Sequence, residues 1–86
     1  MEPVCTIDAN GTKEWYQNGQ LHRMDGPAIE SANGTKEWYQ NNQLHRLDGP
    51  AIEYANGGKE YWYKGKRIPK RTFLSKMFQI RIIMEG

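Results

Sequence analysis

The chain says almost the same thing twice. Residues 9–30 read ANGTKEWYQNGQLHRMDGPAIE and residues 32–53 read ANGTKEWYQNNQLHRLDGPAIE, with 20 of 22 positions identical at a step of 23 residues. The two differences are Gly19 against Asn42 and Met24 against Leu47. A third copy starts at Ala55, keeps Asn56, Gly57, Lys59, Glu60 and Gly65, and then decays. Self-similarity at a fixed period in this range marks a repeat architecture, in which each unit buries its apolar face against its neighbours. The units are 9–31, 32–54 and a partial 55–68, followed by a tail at 69–86.

Each unit reads as β-structure. TKEWYQ is short, aromatic and bounded by turn residues, and Asn-Gly at 10–11, 33–34 and 56–57 is a strong hairpin signal. A two-residue Asn-Gly turn would set Glu30 opposite Glu37, an unfavourable like-charge pair. A three-residue Ala-Asn-Gly loop, with Gly34 in the left-handed bulge position, sets Glu30 opposite Lys36, Glu53 opposite Lys59 and Cys5 opposite Trp15. It also brings Ala28 beside Trp38 and Ala51 beside Tyr61, a small residue next to a large ring. The charges and the packing both favour the longer loop. Stacking the units then aligns Trp15, Trp38 and Tyr61 as one aromatic ladder and Tyr16, Tyr39 and Trp62 as another on the opposite face. The expected fold is mostly β: an antiparallel meander of stacked β-hairpin repeats forming a twisted single sheet.

The tail differs. From Pro69, a residue suited to a first helical turn, Phe73, Met77, Ile80 and Met84 recur at helical spacing, with Leu74, Phe78 and Ile83 beside them. This predicts a basic amphipathic C-terminal helix that caps the sheet, although the alternation of Phe78, Ile80, Ile82 and Met84 would suit a strand. Residues 1–63 hold five Lys/Arg against nine Asp/Glu, whereas 64–86 hold seven against one. An acidic body and a basic tail are two different surfaces.

With 86 residues, one small domain is expected. Cys5 is the one cysteine, so no intrachain disulfide can form, and a reducing compartment follows most simply. No apolar run is long enough to span a membrane as a helix. The N-terminus MEPVCTIDANG has neither a basic start nor an apolar stretch, so no signal peptide is expected. The expected location is the cytoplasm of a bacterial or host cell.

The motifs EWYQNGQLHRMDGPAIE and EWYQNNQLHRLDGPAIE, with the truncated EYWYKGKRIP, resemble the membrane occupation and recognition nexus (MORN) repeat. They are most similar to its bacterial and viral variant, WYxNGxLHRxDGPA, over about residues 3–68. The resemblance implies an elongated meander of antiparallel hairpins whose usual role is contact with another protein, sometimes with lipid. It also implies kinship with phage, large-virus and antitoxin-like bacterial proteins.

LHRxD offers His22 with Asp25 and His45 with Asp48, a base beside an orienting carboxylate. No Ser or Cys recurs at a fixed offset as nucleophile, and a group repeated once per unit serves the unit. His22, Asp25, Gly26, His45, Asp48 and Gly49 are therefore read as structural turn residues, with each Asp bonding backbone N–H groups of its Asp-Gly turn. No catalytic site, metal or cofactor is expected, since two imidazoles alone make a weak metal site. Glu14, Glu37, Glu60, Glu30 and Glu53 read as a solvated face balanced by Lys13, Lys36 and Lys59. The candidate partner-binding residues are Trp15, Tyr16, Trp38, Tyr39, Tyr61, Trp62, Lys64, Lys66, Arg67, Lys70 and Arg71, together with the loops 18–25 and 41–48. The expected function is non-enzymatic binding of one protein partner with inhibition of it, as an antitoxin-like factor or a phage factor against a host defence. The alternative is binding of nucleic acid or anionic lipid through the basic tail, where counterion release would make affinity salt-dependent. Open sheet edges also admit a homodimer.

Overall fold

A computed structural model describes residues 3–74. The chain is mostly β, with antiparallel strands in a meander-like order and a short C-terminal helix at 70–74. The strands are β1 (Val4–Ile7), β2 (Lys13–Gln17), β3 (Gln20–Leu21), β4 (Ile29–Glu30), β5 (Lys36–Glu37), β6 (Tyr39–Gln40), β7 (Gln43–Leu44), β8 (Ile52–Glu53), β9 (Lys59–Tyr63) and β10 (Lys66–Ile68). The main sheet runs β1-β2-β4-β5-β8-β9-β10, with β3 beside β2.

The expected register is present: Glu30 faces Lys36, Glu53 faces Lys59 and Cys5 faces Trp15. It is fixed by the three-residue loop. Ser31 N–H donates to Thr35 O and Gly34 N–H to Ser31 O, with Gly34 at φ +97°. The same bonds close 8–12 and 54–58. A positive φ is the conformation that costs glycine least, which is why the Asn-Gly pair sits where it does. The second kind of turn has two residues, both at positive φ: Asn18-Gly19, Asn41-Asn42 and Lys64-Gly65. That turn matches the right-handed twist of the flanking strands.

The sheet is not one uninterrupted layer, because it forks at the tryptophans. Trp15 N–H donates to Ala28 O while Trp15 O accepts from His22 N–H; Trp38 does the same with Ala51 and His45. The chain between these partners loops out of the sheet. At Trp38 the ladder breaks, and β6–β7 stand as a separate two-stranded sheet.

The aromatic ladder through Trp15, Trp38 and Tyr61 also needs correction. Among the described residues, what covers Trp15 and Trp38 is a guanidinium and not a ring: Arg23 Cζ lies 3.8 Å from the Trp15 ring centroid, and Arg46 Cζ the same distance from Trp38. At the third position Phe73 takes over, its centroid 4.6 Å from that of Tyr61. Among the described residues the buried apolar side chains are Ala28, Ala51, Ile52, Tyr61 and Phe73. Ala28 and Ala51 are fully buried at the forks.

Phe73 N–H donates to Pro69 O, closing the first helical turn where the Pro69 signal places it. The rest of the predicted stripe, Met77, Phe78, Ile80, Ile82, Ile83 and Met84, lies outside the described residues, as does the choice between helix and strand there. No helix among the described residues is long and apolar enough to cross a membrane.

Candidate interaction face

Arg23 and Arg46 organise the looped-out segments, a role the sequence reading missed. Arg46 Nε lies 2.8 Å from Asp48 Oδ1, and its Nη1 donates to Pro50 O at 3.1 Å and to Glu53 Oε2 at 2.9 Å. Arg23 repeats the set with Asp25, Pro27 and Glu30. Asp25 and Asp48 therefore bond the arginine two residues earlier, not the turn backbone. An arginine fork can satisfy several acceptors at once while its flat face lies on an indole. Gly26 and Gly49 leave room for it: a Cβ on either would come within 2.9 Å of the guanidinium carbon. The signal was an arginine kept at the same offset from Trp, Asp and Glu in both copies.

The histidines link one copy to the next. Asn41 N–H donates to His22 Nδ1 at 3.2 Å, and Lys64 N–H donates to His45 Nδ1 at 3.0 Å. Around them, Arg23 N–H donates to Tyr39 O and Arg46 N–H to Trp62 O, while Asn42 N–H reaches Leu21 O and Gly65 N–H reaches Leu44 O. On the far side of the units, Thr12 Oγ1 accepts from Ala32 N–H and Thr35 Oγ1 from Ala55 N–H. Burial, and then the nearby Lys64 charge, lower the His45 pKa from 6.5, in keeping with a neutral ring that accepts a hydrogen bond.

With their cores satisfied in this way, the loops present apolar tips. Met24 is 72% exposed and Leu47 is 47% exposed, each next to an outward-facing Asp25 or Asp48. They border two concavities at the 23-residue step. One, of about 590 Å³, is lined by Trp15, Gln17, His22, Arg23, Met24 and Asp25. The other, of about 550 Å³, is lined by the equivalent Trp38, Gln40, His45, Arg46, Leu47 and Asp48, with Arg23–Gly26 on its far wall. Both lie on the face that carries Trp15 and Trp38.

Tyr16, Tyr39 and Trp62 occupy the opposite face, since neighbours on a strand point to opposite sides. Each donates to the glutamate two residues earlier: Tyr16 to Glu14, Tyr39 to Glu37 and Trp62 to Glu60. Burial first, then the Glu37 charge and hydrogen bond, push the Tyr39 pKa up to about 12. Lys64, Lys66, Arg67, Lys70 and Arg71 are exposed at the turn after β9, on β10 and on the helix. They do not line the concavities at Trp15 and Trp38. Thus the structure brings Trp15, His22, Asp25 and Gly26, and again Trp38, His45, Asp48 and Gly49, into two like assemblies. Of the basic residues, Lys64 meets the second assembly, through its N–H to His45.

No protein-family model, curated protein or solved structure matches this chain.

Proposed function

We propose that this chain is a non-enzymatic protein-binding module of MORN-like tandem hairpins. It grips one partner protein through the loop face and thereby inhibits it. The observation that carries this reading is the duplicated concavity: an exposed Met24 or Leu47 at the rim of a hollow lined by a half-buried tryptophan, repeated at one spacing on one face. Tryptophan and arginine gathered in a concavity are the residue types enriched among interface anchors, and the apolar tips add area around them. Two such anchors at fixed separation favour one extended, specific surface on a partner. Inhibition is the mode we assign, because a module bound in this way acts by occupying a site on its partner. The inhibited partner belongs in the cytoplasm of a bacterial or host cell and is of toxin or host-defence type. The test is affinity capture with the unaltered chain and with Met24→Glu/Leu47→Glu, both shown folded by circular dichroism. A stoichiometric partner held by the first and lost by the second supports the reading. Equal capture by both, or no partner and no effect in toxin and defence assays, counts against it.

A second reading has its own observation: five exposed cations, Lys64, Lys66, Arg67, Lys70 and Arg71, cluster at one end of the sheet. Such a patch favours nucleic acid or anionic lipid. Mobility shift and liposome flotation at low and high salt, with and without alanine at these five positions, separate it from the first. Pairing of two copies through the sheet edges remains compatible with either reading.

A further inference from the structure

Twice within the chain, a strand reading Lys-Glu-Trp is met on one side by a segment reading Ala-Ile-Glu. Glu30 lies opposite Lys13 and Ile29 opposite Glu14; Glu53 lies opposite Lys36 and Ile52 opposite Glu37. In each case the tryptophan N–H donates to the alanine carbonyl, at 2.8 Å for Trp15–Ala28 and 2.7 Å for Trp38–Ala51. The third strand of this kind, β9, starts Lys59-Glu60-Tyr61. Its Lys59 and Glu60 pair with β8 on one side, and β10 covers only Tyr61–Tyr63 on the other. Among the described residues no strand lies beside Lys59 and Glu60 there. A concavity of about 750 Å³ occupies the position, with Lys59, Tyr61, Arg67, Ile68 and Lys70 among its lining residues.

We propose that this edge is a docking site for an extended, acidic segment of a partner protein, added as a further β-strand. The occupant places a small residue beside Tyr61, an apolar one opposite Glu60 and a glutamate opposite Lys59. The chain itself supplies that template at both equivalent edges. Charge decides between occupants. Lys59, Arg67 and Lys70 border the concavity against one carboxylate, Glu60, which lies 4.0 Å from Arg67 and accepts from Tyr54 and Trp62, so the lining is net positive. A second copy of this chain is a poor occupant. Its β1 presents Cys5-Thr6-Ile7 and no acid to Lys59. The groups that link copies elsewhere are also missing, with Gly58, Ile68 and Pro69 standing where Thr12, His22 and Arg23 stand in the first unit. Main-chain pairing supplies affinity in this mode and the side-chain register supplies specificity. The site is separate from the Met24 and Leu47 face and does not depend on it.

The test uses the full chain, labelled with ¹⁵N, and two blocked synthetic peptides: one with the sequence of Asp48–Tyr54, and the same with Glu53→Lys. The first peptide is expected to shift the amides of Lys59, Glu60 and Tyr61. It should bind about fivefold or more tightly than the second, as a charge pair across a strand implies. Lys59→Glu should invert that preference; should that variant not fold, the two peptides on the unaltered chain decide. Unshifted Lys59–Tyr61 amides at peptide saturation of the tube, or equal affinity for both peptides, would overturn the proposal. So would a dimer in sedimentation velocity that shields these amides from the peptide, which would assign the edge to a second copy.

Discussion

Replacing Arg46 by alanine removes four interactions in one step. The guanidinium leaves the Trp38 face, where it stacks at 3.8 Å, a contact of roughly 0.5–2 kcal/mol depending on desolvation. The hydrogen bond to Pro50 O, at 3.1 Å, contributes about 1 kcal/mol. The pair with Glu53, at 2.9 Å and partly shielded, contributes about 0.5–1 kcal/mol. The pair with Asp48 adds little, since that carboxylate is 85% exposed. Taken as a sum, Arg46→Ala should cost about 2–4 kcal/mol, against a total near 5–15 kcal/mol for a typical domain. Urea unfolding followed by tryptophan fluorescence measures it. Arg46→Lys should recover less than half of the loss, because an ammonium can neither fork nor lie flat on an indole. A cost under about 1 kcal/mol for Arg46→Ala, or a lysine variant as stable as the unaltered chain, would refute the reasoning. Arg23→Ala should behave alike, since its contacts are the same.

Gly49→Ala should destabilise by about 1–3 kcal/mol through its clash with Arg46, and the cost should shrink in an Arg46→Ala background, as a double-mutant cycle would record. His45 accepts from Lys64 N–H only when neutral, and its pKa is held below 6.5. Its contribution is therefore present above pH 6.5 and lost as pH falls through the lowered value, which stability curves for the unaltered chain and His45→Gln should show. Tyr39 has its pKa raised from 10.0 to about 12, so its contribution holds below pH 10 and disappears between pH 10 and about 12. Tyr16 and Tyr54 are raised as well, by their bonds to Glu14 and Glu60, so ultraviolet titration should find late phenols, of which Glu37→Gln brings that of Tyr39 earlier.

Much of the strand pairing was legible in the sequence, because local chemistry decides it. An Asn-Gly pair needs positive φ at its glycine, and a two-residue turn would have opposed Glu30 to Glu37; those facts alone select the loop at 32–34. The start of the helix was legible for a similar reason, since Pro69 suits a first turn. The arginine brace was not legible. Arg23 touches Trp15, Asp25, Pro27 and Glu30 only after the chain leaves the sheet at a fork and folds back over it, and no pairwise pattern along a strand encodes that fork. The ladder of rings failed for the same cause, because the space above each tryptophan was already filled. Met24 and Leu47 escaped notice because an apolar residue between charges looks like core until its loop is seen to point outward.

The claim on which the rest depends is that successive copies are locked by the same bond, from a backbone amide to a histidine ring nitrogen one unit earlier. Nitrogen–nitrogen coupling across the hydrogen bond, measured by NMR on uniformly ¹⁵N-labelled chain, tests it most directly. Two cross-peaks are predicted, Asn41 N to His22 Nδ1 and Lys64 N to His45 Nδ1. Their absence, together with rapid exchange of both amides with water, would contradict it.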